Sequence, residues 1–316
     1  MSNISTYNNL FSHIKSCLLS FSSAKKLSIS SKKLTDHVND IIAITLGIRA
    51  AYLIDFAFLT LDDSKTLLSS FQKNKNLFNI CILQFSDTHT FICNHKLVLT
   101  KLENDLINEF KNCIFVDIMW NYKETGCKEP EMIDTPLSFK KSLEMNVKPF
   151  FLEWSDIDSS SLTTKLAVFF IPKTPTCIIT FTGWILEYPV VYVLDSAPDN
   201  VGDIFDIQMT KNCLGGQNLK LYRVFLKNAE KVHNSRIEDS GMNNEPLEHI
   251  LLSFSVPSHI WHYIRQENDQ DILNNNTDMI TTILKNNFNP RIKNQTYWNS
   301  EFRVEISDVC LPVVVL

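Results

Sequence analysis

Three aspartates stand inside or at the end of apolar, β-branched runs: Asp55 in YLIDF, Asp117 in FVDIM and Asp195 in YVLD. A buried charge is costly without a partner. Each of these acids must therefore end a strand, accept backbone N–H bonds, or face a site. Carboxylates at strand ends can hold magnesium or divide into general acid and general base. The expected role of all three is structural, capping loops through local hydrogen bonds. They are nonetheless the strongest catalytic candidates, and His89 joins them. An enzyme built on this set requires Asp55 and Asp195, with Asp117 or His89, to meet in one cleft.

Soft donors form a second constellation. His89, Cys93 and His95 share one parity along a strand, with Cys81 on the strand before. Nitrogen and sulfur suit zinc, but these intervals are not the usual ligand spacing. A hairpin with surface histidines and a buried cysteine is expected, and no metal is assigned. His259 and His262 lie three apart on a predicted helix and share a face. A two-histidine half-site needs further ligands, so solvent-facing imidazoles beside Trp261 are expected. Eight cysteines and eight histidines offer many nucleophile–base pairs. Without distances, that count selects none. The sequence has no GxGxxG, Walker loop, GxSxG, HExxH, EF-hand or kinase signature, so no cofactor is expected. The terminal VVVL can add to a PDZ-type groove, but a final strand of the domain is the preferred reading.

The elements that must position these residues follow from periodicity and turn chemistry. Thr35 is read as the cap of a helix carrying Val38, Ile41, Ile42 and Thr45, stopped by Gly47. A strand AAYLIDFAF follows, then a helix opened by Asp62-Asp63-Ser64 and running to about Lys73. FNICILQF and HTFICN read as a hairpin around Ser86-Asp87-Thr88. Residues 96–111 read as a helix, CIFVDIMW as a strand, residues 122–136 as a loop and KPFFLEW as a short strand. The block from Lys165 to Asp195 reads as three buried strands. LKLYRVFL and HILLSFSV are further strands, and a mobile loop is expected at residues 228–246. Pro257-Ser258 opens a helix through Gln266, and Asn274-Asn275-Asn276 precedes another to about Asn287. EFRVEI and CLPVVVL close the chain as strands. The expected class is α+β, a mixed, largely antiparallel sheet with flanking helices.

Composition narrows the partners. The 316 residues are 44% hydrophobic, which is ample for a sizeable core, and the net charge of -5 disfavours nucleic acid. Residues 1–34 hold five lysines, no acid and many serines, with Tyr7, Leu10, Phe11, Ile14, Cys17, Leu18 and Phe21 at helical spacing. A basic N-terminal helix or tail that docks on a single domain at residues 35–316 is the preferred reading. A presequence or a membrane-surface helix is the alternative. The apolar stretch at residues 41–59 contains Arg49 and Asp55, and that at 177–194 contains Glu187 and Pro189. Neither is a membrane span. No cysteines form a CxxC pair, and no signal peptide is expected at the start of the chain. Reduced thiols in the cytoplasm are expected, with the nucleus as a second compartment. The sequons at Asn3, Asn275 and Asn294 then carry no meaning.

Three segments, DIIAITLGIRAAYLIDF, YPVVYVLD and LSFSVPSHI, together resemble an uncharacterised eukaryotic family typified by a human chromosome 1 open-reading-frame product. The resemblance implies no activity and no functional residue. The expected function is non-enzymatic, an interaction protein with a protein partner. Such a protein should lack clustered buried carboxylates and should expose an apolar patch. The alternative is a hydrolase-like enzyme of unfamiliar type that uses strand-end carboxylates with metal assistance.

Overall fold

Helix α1 (Ser2–Ala24) lays Leu10, Ile14, Leu18 and Phe21 against helices α2 (Ser31–Thr45) and α3 (Leu61–Phe71). In the computed structural model, the described residues are 2–119, 129–155, 167–194, 212–227, 248–268, 278–293, 302–312 and 314. The expected mobile loop at 228–246 and the terminal VVVL tail, except Val314, lie outside them. Helix α2 is capped by Ser30, which accepts from the Lys33 N–H. Thr35 is therefore not the cap: it sits in the first turns, and its hydroxyl donates to the Ser31 carbonyl. Gly47 ends α2 as expected. At φ +70° it occupies the left-handed region, and the Gly47 and Ile48 N–H groups close back on Ile44 and Ala43.

Among the described residues, ten strands form three sheets. The first has the order β1–β3–β2–β6, from β1 (Ala51–Leu53), β2 (Ile80–Phe85), β3 (His89–Asn94) and β6 (Val168–Ile171). β2 and β3 form the expected hairpin. Both of its faces are buried: Ile80, Ile82 and Ile92 meet α1–α3, while Cys81, Leu83, Phe85, Phe91 and Cys93 face a second layer. The helices of that layer are α4 (His95–Ile107), α5 (Leu137–Ser142), α6 (Lys148–Ser155) and α7 (Ile178–Ile185). Its core is aromatic, with Phe85, Phe91 and Phe181 edge to face and Phe139 against Trp184.

The second sheet, β5–β4–β7, joins β4 (Ile114–Asp117), β5 (Glu131–Ile133) and β7 (Val190–Val193). The third, β10–β8–β9, joins β8 (Asn218–Lys227), β9 (Glu248–Pro257) and β10 (Phe302–Cys310) under helices α8 (Ser258–Asn268) and α9 (Met279–Lys293). Among the described strands, five pairings are antiparallel, while β2–β6 and β4–β7 are parallel. The class is α+β, with the strands divided among three sheets. Among the described residues, no helix is long and apolar enough to cross a membrane.

Several expected strands take other forms. The middle of the Lys165–Asp195 block is helix α7, not a strand. KPFFLEW is helix α6. Residues 131–133 of the expected loop form β5. Helix α7 is buried on nearly every side, so it carries no amphipathic period to distinguish it from a strand. Gly183 lets β7 lie close against it: a Cβ there would meet Val191 at 3.3 Å. The expected closing strand EFRVEI extends to Cys310 as β10, whereas Leu311 and Pro312 of the expected strand CLPVVVL lie beyond its end.

Candidate functional site

Helix α7 ends in a corner that a glycine would normally take. Tyr188 N–H returns to Gly183 and Glu187 N–H to Trp184, which places Glu187 at φ +65°. A side chain in this left-handed region costs about 1 kcal/mol relative to glycine. Glu187 is held there by its carboxylate, which is 2% exposed. Oε2 accepts from Ala50 N–H at 2.7 Å, and Oε1 accepts from Arg291 Nη1 at 2.7 Å. The same Nη1 donates to the Ile48 carbonyl at 3.1 Å. One buried acid thus ties the start of β1, the α7–β7 corner and α9 together.

A second acid–cation pair stands beside it. On α4, Lys101 and Asp105 are one turn apart, and Lys101 Nζ donates to Asp105 Oδ2 at 2.8 Å. Trp184 Nε1 donates to the same oxygen at 2.7 Å, and its ring lies 5.1 Å below the ammonium. These two pairs line a cavity of about 210 Å³, together with Asn104, Asn112, Cys113 and Asn287. Burial pushes the Cys113 thiol up to about 11, against the pull of Lys101. Burial also opposes the Lys101 charge, but Cys113, Asp105 and Glu187 outweigh it and raise that pKa. Glu109 and Phe110, in the turn between α4 and the cavity wall at Asn112, also have positive φ, 51° and 59°. Of these three left-handed non-glycine residues, Glu187 alone lines the cavity. Such strain collects at functional sites.

A family model for a domain of unknown function, DUF4504, matches residues 16–316. This chain belongs to that family. No curated protein and no solved structure matches it. DUF4504 assigns no chemistry to any residue, so the site is described by geometry alone.

The residues singled out from the sequence are dispersed across this DUF4504 chain. Asp55 lies two residues past the end of β1, exposed, with the Tyr52 hydroxyl 3.5 Å from Oδ1. His89 lines the same cavity as Asp55, a different one from that of Glu187. Asp117 ends β4 in another sheet, accepts from Met119 N–H at 2.9 Å, and lines neither of these cavities. Asp195 lies outside the described residues. Cys81 and Cys93 face each other across β2–β3 in the core. His95 begins α4 and donates through Nε2 to the Phe151 carbonyl at 2.9 Å. At about 3.3 Å per residue, His89 sits on the order of 13 Å along the strand from Cys93. Among the described residues, no group of three or more His, Cys, Asp or Glu side chains is placed to hold a metal. His259 donates to the Pro130 carbonyl at 2.7 Å, and exposed His262 lies against the Trp261 ring.

The reading from sequence passed over Lys101, Asp105 and Arg291, and used Glu187 only as a charge unsuited to a membrane. One available signal was an acid between two apolar runs, Trp-Ile-Leu before it and Pro-Val-Val after it. A charge so placed needs a distant partner. Which partner was not legible, because Ala50 and Arg291 are 137 and 104 residues away.

Proposed function

We propose that this protein acts by binding rather than by catalysis, and that the cavity of Lys101 and Arg291 takes a small polar molecule bearing an anionic group. The observation that carries this reading is the state of the two cations. Each is fixed by a buried acid, and each keeps N–H groups that no described residue accepts. Fixed cationic donors on helices suit a carboxylate or phosphate. General acid–base work instead needs a group that titrates near the working pH. Lys101 and Cys113 are both pushed away from it. Asp105 and Glu187 do cluster here, unlike in the interaction protein expected from sequence, but each is committed to a cation. Free thiols, four of them buried, support a reducing compartment such as the cytoplasm. The likeness to the family typified by a human chromosome 1 open-reading-frame product adds no residue role to this reading.

The test is calorimetric titration with inorganic phosphate, succinate and neutral succinamide. Phosphate or succinate should bind at least about tenfold more tightly than succinamide, and the charge-balanced double variant Lys101→Met/Asp105→Asn should lose that preference. Equal binding of succinate and succinamide, or no binding of either anion, overturns the proposal. The alternative of a carboxylate enzyme has one observation in its favour: Asp55 and His89 line one cavity. A stoichiometric metal ion on purified protein, lost in Asp55→Asn, would favour it.

A further inference from the structure

A second cavity, of about 450 Å³, opens beside β1 and shares no residue with the first. Three segments build it: Lys25 and Leu27 after α1, residues 53–58 from the end of β1 onward, and Thr88 and His89 at the β2–β3 turn. Its walls are largely carbon, from Leu27, Leu53, Ile54, Phe56 and Phe58. Phe58 is 81% exposed, an aromatic ring left outside the core at a cavity lip. Phe56 is held in place behind it, with its ring 4.8 Å from that of His37. The Tyr52 hydroxyl, 2.6 Å from His37 Nδ1 and 3.5 Å from Asp55 Oδ1, ties the same histidine to the acid.

The charges around this cavity do not cancel. Lys25 is neutralised by Asp63, with Nζ 2.6 Å from Oδ1. Burial lowers the pKa of His89, which favours the neutral imidazole. Asp55 alone faces the cavity with no cation: among the described residues, its one hydrogen bond is the long contact from Tyr52. We infer that this cavity is a binding site for a small organic cation, an ammonium group with an apolar surface. The carboxylate of Asp55 supplies the opposite charge, and the aromatic side chains of Phe56 and Phe58 in the lining supply the carbon-rich, quadrupolar surface such cations prefer. A hard metal ion needs several oxygen ligands and finds a single carboxylate here. An anion meets the wrong charge.

The ammonium can be a free molecule or a methylated lysine side chain of a peptide, and calorimetry separates the two. The probes are choline, its neutral isostere 3,3-dimethylbutan-1-ol, and a short peptide containing trimethyllysine. Choline should bind at least about tenfold more tightly than the neutral isostere. Asp55→Asn should erase that difference, and Phe58→Ala should weaken choline by about fivefold or more. Both positions are exposed, so an unchanged urea midpoint shows that the variants are folded. A peptide that binds more tightly than choline identifies a protein side chain as the source, and the reverse identifies a free molecule. The inference is overturned if neither choline nor the peptide binds, if choline and its isostere bind equally, or if Asp55→Asn keeps the preference. Lys101→Met/Asp105→Asn should leave choline binding unchanged, so failure of one site does not imply failure of the other.

Discussion

Removing the Glu187 carboxylate should be among the most damaging single changes outside the aromatic core. Glu187→Ala leaves the Ala50 N–H without its acceptor, at a cost of about 1–3 kcal/mol for a buried orphan. It also leaves Arg291 without its acid. Breaking a buried pair costs about 3–5 kcal/mol. Arg291 is 22% exposed and keeps the Ile48 carbonyl, so water and that contact recover much of this. A net loss of about 3–4 kcal/mol follows. The backbone separates the variants further. Glycine removes the same bonds but relieves the left-handed strain at φ +65°, so Glu187→Gly should be about 1 kcal/mol more stable than Glu187→Ala. Glu187→Gln keeps an acceptor for Ala50 and loses only the charge, for about 2 kcal/mol. The expected order of stability is Glu, Gln, Gly, Ala. Urea unfolding followed by tryptophan fluorescence reads it directly, because Trp184 is buried beside the site. Adding Arg291→Met to Glu187→Ala removes the orphaned charge, so the double variant should be less damaged than the sum of the singles. A Glu187→Ala variant within about 1 kcal/mol of the native protein, or one more stable than Glu187→Gly, would refute the account.

Further outcomes concern Cys113 and Gly47. The folded chain holds the Cys113 proton to about pH 11, whereas an ordinary thiol releases it near 9.0. The unfolded chain therefore binds fewer protons between those values, and stability falls as pH rises through that window. Alkylation of Cys113 by iodoacetamide, read by peptide mass spectrometry, should lag behind exposed Cys310 at pH 8. Lys101→Met should slow it further, because Lys101 pulls that pKa down; an accelerated Cys113 in this variant contradicts the assignment. Gly47→Ala should cost about 1 kcal/mol in urea unfolding, from backbone strain alone. An added Cβ there meets Asn94 and Leu97 at an ordinary 3.9 Å, so a much larger loss would place the cause in packing rather than in φ.

Local chemistry in the sequence was enough to determine several elements. The β2–β3 hairpin follows from two β-rich runs around Ser86-Asp87-Thr88. The stop at Gly47 and the acid-rich start of α3, where Thr60 and Asp63 form a capping box, need only their neighbours in sequence. The β-rich runs of β8 and β9 are equally local, although a register shift at Val224 and Phe225 interrupts their alternation. Helix α7 was decided elsewhere. Ile178, Ile179, Thr180 and Phe181 favour a strand by propensity, yet the space between the first sheet and α4–α6 is filled by a helix presenting Phe181 and Trp184. Tertiary packing overrides weak intrinsic preference where both faces of a segment are buried. The site follows the same logic. Asp55, Asp117 and His89 could be named from their types, but their positions relative to one another depend on which sheet each strand joins. Glu187, Ala50 and Arg291 come from three distant segments, and the Lys101–Asp105 pair becomes a cavity wall only once α7 packs Trp184 beneath it. One sequence specifies which charges need partners; the chain's fold alone decides which partners they meet, because the Coulomb and hydrogen-bond terms that select them act over a few ångströms of space and not along the chain.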